Sequence, residues 1–143
     1  MTPSLLASPL AAFAISTPMR VAALMPGESA QALLQVSITW ACVRPGHRFA
    51  FAALTRQVAA LLAEGQPGLV CHSVRREVFG RQAWTLTAWR HAEDRDRFAA
   101  HPVHAHAMAA SRQLLSAVRT RRLALRRDEL PLSWAGALAL LDG

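Results

Sequence analysis

Apolar and polar side chains alternate along the segment that begins at Leu33. A period of two residues predicts a strand with one buried face and one more polar face. The alternation stops at the Arg44–His47 segment, which contains Pro45 and Gly46, so the predicted strand ends there. Its apolar positions are Leu34, Val36, Ile38, Trp40 and Cys42, and the positions between them are Gln35, Ser37, Thr39 and Ala41.

A helix and a hairpin are predicted next. Apolar residues recur at helical spacing over residues 51–62, and the Gly65–Gly68 segment ends this helix. Residues 69–79 and 83–89 have the composition of strands, and Gly80-Arg81 between them predicts a tight hairpin. A two-residue loop would pair His72 with Trp89 and Arg76 with Thr85, and would place Trp84, Leu86 and Ala88 on the more apolar face.

The last third of the domain repeats the helix–strand order. Residues 92–97 are charged and helical, and Pro102 predicts either a kink or a new helix that runs to about Val118. Arginine alternates with leucine over residues 119–127, which predicts a fourth strand. A short apolar helix is expected to follow Trp134 and to end near Leu141.

This order of elements predicts an α+β fold, the ferredoxin-like plait βαββαβ. Two right-handed crossovers around a central hairpin give a four-stranded antiparallel sheet with both helices on one face. The other face of the sheet would then meet water or a second copy of the chain. Because 52% of the residues are hydrophobic, we expect a homodimer that buries this face.

The chain of 143 residues has the length of one domain, residues 31–143, preceded by an extension. Residues 1–30 hold four of the eight prolines and only two charged side chains, which predicts a loosely ordered apolar extension. Residues 5–15 have the hydropathy of a secretory signal core, but no Lys or Arg precedes them, so a cytoplasmic location is favoured over export. No uncharged apolar run reaches membrane-spanning length, and we expect no membrane association.

The net charge is +7, and all 16 basic residues are arginines. This balance is typical of contacts with nucleic acids or other anions, and equally of codon bias in a GC-rich genome, which we favour. RNA-recognition domains share the predicted order of elements. Residues 80–89, the predicted third strand, lack their basic-Gly-aromatic motif, so we expect no specific nucleic-acid partner.

The densest group of reactive side chains lies at the start of the second long helix. His104 and Met108 are four residues apart and share a helix face, whereas His106 points away towards solvent. His104 could act as a general base or ligate haem iron, and His101 lies at the helix entrance. The alternative roles are a helix cap for His101, a cavity wall for His104 and core packing for Met108. No Asp, Glu or Cys stands at ligand spacing, so no metal site is predicted.

Aromatic and thiol side chains complete the candidates. Trp40 and Trp84 on the predicted strands could wall a planar ligand, or pack as ordinary core. Cys42 and Cys71 match neither a CxxC nor a zinc spacing and are expected to be reduced core residues.

Residues 33–128 resemble the antibiotic biosynthesis monooxygenase-like superfamily of dimeric α/β barrels. The resemblance rests on the order and spacing of short motifs. They are Val43-Arg44-Pro45-Gly46, Pro67-Gly68-Leu69, Trp89 at the end of the third strand, Phe98-Ala-Ala-His101-Pro102-Val-His104 with Ala107-Met108, and the tail Leu130-Pro-Leu-Ser-Trp134.

The resemblance implies a homodimer with a pocket between each sheet and its helices. Members of the superfamily include cofactor-free oxygenases of quinols and anthrones, and haem-degrading oxygenases. The latter place a Trp and a proximal His on the second helix, where this chain has Phe98 and Met108, which disfavours haem degradation.

The expected function is therefore a small, cofactor-independent monooxygenase of an aromatic, quinol-like substrate. His104 and His101 are the expected catalytic residues, and Trp40, Trp84, Phe98 and Met108 the expected ligand contacts. No cofactor is expected, with haem as the alternative. The alternative function is a dimer that binds a small hydrophobic ligand or haem without catalysis.

Overall fold

The computed structural model describes residues 13–143. Residues 1–12, which carry most of the apolar run of the predicted extension, lie outside the described residues. The strands are β1 (Ala14–Ser16), β2 (Arg20–Val21), β3 (Leu33–Val43), β4 (Leu69–Glu77), β5 (Gln82–Trp89) and β6 (Leu115–Arg126). The helices are α1 (Arg48–Ala63), α2 (Ala92–Ala99), α3 (Pro102–Ser111) and α4 (Trp134–Asp142).

The sheet confirms the ferredoxin-like arrangement but has six strands, not four. All pairings are antiparallel, in the order β1-β4-β5-β3-β6, with β2 also paired to β4. The two additional strands lie within residues 14–21, where the sequence pattern is too short to show a period. They form because the outer edge of β4 offers free backbone groups, and Ala22 N donates to Val70 O at 2.8 Å.

The central hairpin has a longer loop than predicted. His72 pairs with Thr87 and Arg76 with Ala83, so the predicted register is wrong by two residues. The Glu77 carboxylate closes the loop instead of a tight turn, because Gln82 N donates to its Oε1 at 3.0 Å. A shift of two residues leaves every side chain on its predicted face of the sheet.

The helical segment after β5 divides at Pro102, as one of the two predicted outcomes. Pro102 occupies the first turn of α3, where its missing N–H costs no hydrogen bond. The predicted extent of this helix to about Val118 is wrong, because α3 ends at Ser111 and β6 begins at Leu115. Pairing of β6 along the whole of β3 outweighs the helical spacing of the apolar residues in this stretch.

Helix α4 and the segment before it cover the sheet face opposite α1–α3. Val36, Ile38 and Leu86 are fully buried there, packed with Ala137 and Leu141 of α4. The Trp134 Nε1–H donates to Ser73 Oγ at 3.0 Å and fixes the start of the helix. The prediction that this face is bare is therefore wrong: the chain buries it itself, and the inference of a homodimer loses that basis.

The helix-facing side has a smaller core. It consists of Leu61, Leu62, Trp89 and Phe98, with three partly buried neighbours. Cys71 is buried and Cys42 half-buried, and both are free thiols, as expected. Among residues 13–143, no helix is both long and apolar enough to span a membrane.

Candidate functional site

A cavity of about 260 Å³ lies between the sheet and helices α1, α2 and α3. Its floor consists of alternate residues of β3, β5 and β6, on the face opposite α4. The cavity exists because these floor side chains are short, mostly Ala, Ser and Thr, and cannot reach the helices.

The floor changes from apolar to polar along the strands. Each level is one row of cross-strand neighbours on β5, β3 and β6. The rows are Ala83–Ala41–Val118, then Thr85–Thr39–Thr120, then Thr87–Ser37–Arg122. Thr39 and Thr120 share a hydrogen bond of 3.1 Å between their hydroxyls. A ligand in the cavity therefore meets methyl groups at one end and hydroxyls with a guanidinium at the other.

The roof is apolar and partly aromatic. Phe51, Leu54 and Val58 of α1 line it, and Phe98 of α2 closes one side. The ring of Phe98 lies 5.2 Å from the Trp89 ring and 4.9 Å from the His104 ring, measured between centroids. This aromatic series connects the polar end of the floor to α3 and provides surfaces for a planar ligand.

His104 lines the cavity and has a defined tautomer. Its Nδ1 lies 3.1 Å from the carbonyl oxygen of Ala99, which can only accept, so Nδ1 carries the hydrogen. Nε2 is therefore the ring nitrogen with a free lone pair. Burial lowers the pKa of His104, the bond to Ala99 opposes this, and the charge of nearby His101 adds to the lowering. The imidazole is thus a neutral base at physiological pH.

His101 does not line the cavity. It is the N-cap of α3, and its Nδ1 accepts a hydrogen bond from Val103 N at 3.2 Å. The capping role, one of the two alternatives for this residue, accounts for its position, and the predicted catalytic role for His101 has no geometric basis. His106 is exposed, as expected from helical geometry.

The two predicted tryptophan walls are on the wrong face. Trp40 and Trp84 occupy the positions of β3 and β5 that point to the α4 side, so neither lines the cavity. Trp40 donates to Gln82 Oε1 at 2.6 Å, and the Arg75 guanidinium lies 4.7 Å from the Trp84 ring centre. Sequence reasoning missed the residues that do form the floor, although their signal, hydroxyls at the odd positions of β3, was visible.

Phe98 and Met108 both line the cavity, and their contact with a ligand stays a prediction. Phe98 is buried, whereas Met108 is 48% exposed and lies at the mouth beside Val118. The mouth therefore opens between α3 and β6, where Met108 and Val118 lie beside Arg112.

Two residues of the cavity lining carry buried polar atoms. Within residues 13–143, neither the buried Ser37 Oγ nor the buried Trp89 Nε1 has a hydrogen-bond partner. Arg95, His104 and Arg122 are the titratable residues in the lining, and no carboxylate is among them. Both unpaired groups are inaccessible from the cavity, so Arg95, His104 and Arg122 are the titratable groups in the lining that can contact a ligand.

The fold has many solved relatives. The cofactor-independent oxygenase SnoaB of Streptomyces nogalater superposes with a TM-score of 0.56 and 23% identity, over 69% of this chain and 98% of that one. A predicted antibiotic biosynthesis monooxygenase of Chloroflexus aurantiacus gives a TM-score of 0.54 and 20% identity, over 70% and 94% of the two chains. The chain has the antibiotic biosynthesis monooxygenase-like fold.

The sequence identity to proteins that share this fold is low. A predicted monooxygenase of Lactobacillus acidophilus has a TM-score of 0.58 at 8% identity, over 76% of this chain, which spans only 51% of that protein. No family model and no curated protein matches the chain. The superfamily resemblance predicted from the short motifs is thus confirmed for the fold.

The cavity volume of about 260 Å³ lies just below the roughly 300–1,000 Å³ of pockets for drug-sized ligands, so the enclosed part of the cavity suits a ligand of two or three fused rings. Residues 13–143 contain no group of three or more His, Cys, Asp or Glu that could hold a metal ion.

Proposed function

We propose that this chain is a small monooxygenase that oxidises a planar aromatic substrate at the His104 cavity without a resident cofactor. The observation that carries the proposal is the fixed tautomer of His104. Its Nδ1 is held by Ala99 O, so Nε2 is available as a base in a cavity with aromatic walls. The cofactor independence of SnoaB supports the same reading.

The cavity provides three contributions to such a reaction. Its apolar roof and the Phe98 ring hold the aromatic body of the substrate. The floor hydroxyls orient oxygen substituents. His104 takes a proton from an anthrone or phenol. The lining contains no carboxylate, so no negative charge in the cavity repels the resulting anion.

The reaction balances with oxygen as the only co-reactant. Deprotonation of an anthrone at its CH₂ carbon gives an electron-rich enolate, which transfers an electron to O₂. Recombination forms a carbon–oxygen bond, and the hydroperoxide then loses water to leave a ketone. One oxygen atom enters the product and the other leaves in water, so the anthrone supplies all four electrons that reduce O₂.

Oxygen consumption with anthrone tests the proposal. We expect one O₂ per anthrone, and anthraquinone that carries a single atom of ¹⁸O after reaction under ¹⁸O₂. His104→Gln should lower kcat by about 100-fold, within the range for loss of a general base. His106→Gln, an exposed histidine on the same helix, is the matched control and should retain the wild-type rate.

Three results would count against the proposal, each against a different part of it. Oxygen uptake no faster than in buffer would remove the catalytic proposal, and binding of anthrone without uptake would favour the alternative, a protein that only binds a small hydrophobic ligand. Equal rates in the wild type and His104→Gln would remove the role of the imidazole.

A further inference from the structure

We infer that the preferred ligand carries an acidic group, a carboxylate on the aromatic ring system, and that Arg122 recognises it at the polar end of the cavity. The inference rests on the proposed use of the cavity and adds the substrate class. It begins from the polar row Thr87–Ser37–Arg122 at one end of the floor.

Arg122 is the arginine of β6 that is left for a ligand. The other three arginines of β6 have partners in the protein. Arg119 pairs with Asp142, Arg121 donates to Leu140 O, and Arg126 pairs with Asp128. Among residues 13–143, Arg122 has no hydrogen-bond or ion-pair partner, and it lines the cavity. A guanidinium offers two parallel donors that match a carboxylate.

The groups around Arg122 suit an anion. Ser37 is its direct cross-strand neighbour, and the cavity lining contains no carboxylate that would repel an anion. Thr87 lies on the other side of Ser37. Arg95, which also lines the cavity, is on α2, and α2 begins three residues after Trp89 at this end of β5. Its ion pair with Asp96 uses Nε.

The opposite end of the cavity explains why the ligand is not simply hydrophilic. Ala41, Ala83 and Val118 form the far row of the floor, and the roof above is apolar. An amphiphilic molecule with fused rings and one acidic end therefore matches the polarity of the floor better than a neutral quinol.

The test compares 1-hydroxy-2-naphthoate with its methyl ester by isothermal titration calorimetry. We expect the acid to bind the wild type about tenfold more tightly, the effect of a charge-assisted hydrogen bond from a solvent-exposed donor. Arg122→Gln should weaken binding of the acid far more than binding of the ester, so that most of this preference is lost. Arg119→Gln, on the same strand but on the α4 face, is the control and should keep it.

Two further measurements separate recognition from folding. Arg122→Lys, which keeps the charge but loses the two parallel donors, should retain only part of the preference for the acid, and neither variant of this exposed residue should lower the melting temperature. The acid's advantage should also shrink at 0.5 M NaCl, because Arg122 is exposed.

The outcomes distinguish this inference from the enzymatic proposal. Equal affinities of the acid and the ester for the wild type, or an unchanged preference in Arg122→Gln, would overturn it. An acid preference that depends on Arg122, found in a protein that consumes no oxygen, would uphold it and remove the monooxygenase. Failure of both compounds to bind would overturn this inference, and the anthrone assay would decide the enzymatic proposal separately.

Discussion

Replacing Leu141 with alanine tests whether helix α4 covers the sheet in solution. Leu141 is 4% exposed and packs with Ala137 against the apolar face of the sheet. That face contains Val36 and Ile38, which are fully buried only because α4 and the segment before it lie over them. The substitution removes three carbons from this contact.

The expected cost follows from the burial. Deleting a buried leucine side chain to alanine costs about 2–5 kcal/mol, as lost transfer energy plus a cavity term. Leu141 is near the end of a helix that can settle into the gap, so we expect about 2–3 kcal/mol. For a domain of this size, that corresponds to a fall in melting temperature of about 5–10 °C.

Urea and thermal unfolding followed by circular dichroism measure this effect. Leu33→Ala is the control, because Leu33 is 62% exposed and its loss should cost at most about 0.5 kcal/mol. The wild-type melting temperature should not change over a 100-fold range of protein concentration, since the chain buries the face itself. A Leu141→Ala cost near that of the control, together with a melting temperature that rises with concentration, would show that a second copy covers the sheet instead.

Three shorter predictions follow from single sites. Because burial lowers the pKa of His104, kcat/KM for anthrone should fall only as the pH drops below 6.5, and a pH–rate profile with a midpoint above 6.5 would contradict this. Gly68→Ala should lower the free energy of unfolding by about 2–4 kcal/mol, because Gly68 has φ +78° and an added Cβ would meet the Asp94 carboxylate. Gly46 has φ +84° but open space around it, so Gly46→Ala should cost only about 1–2 kcal/mol in the same urea melts. Burial raises the pKa of Cys71 to about 11, so a thiol reagent at pH 8 should label Cys42 before Cys71. Peptide mapping after partial labelling measures this order.

The sequence was sufficient for the order of elements from β3 to α4, because each depends on a local pattern, whereas β1 and β2 are too short to show one. The alternation along β3 also placed its even and odd residues on opposite faces correctly. The hairpin register failed because the Glu77 side chain, and not a turn motif, closes the loop. The end of α3 failed because pairing with β3 decided it, and that pairing is not local.

The site was only half predictable for a different reason. His104, Phe98 and Met108 line the cavity, and the sequence grouped them because they are close together along the chain, on the consecutive helices α2 and α3. The tryptophan walls were wrong because a pattern shows which face of a strand is more apolar and not which layer covers it. Trp40 and Trp84 lie on the more apolar face of the sheet, and helix α4 covers that face.

The two faces of the sheet differ in side-chain size: one packs into the main core, and the other lines the cavity. On the α4 side, large residues such as Ile38, Trp84 and Leu86 meet the small Ala137, and the contact is filled. On the other side the floor is built from Ala, Ser and Thr, and helices held by only a four-residue buried cluster bridge over it. The stability of the sheet therefore comes from the α4 side, which leaves the helix side free to keep an unfilled, polar-floored cavity beside His104.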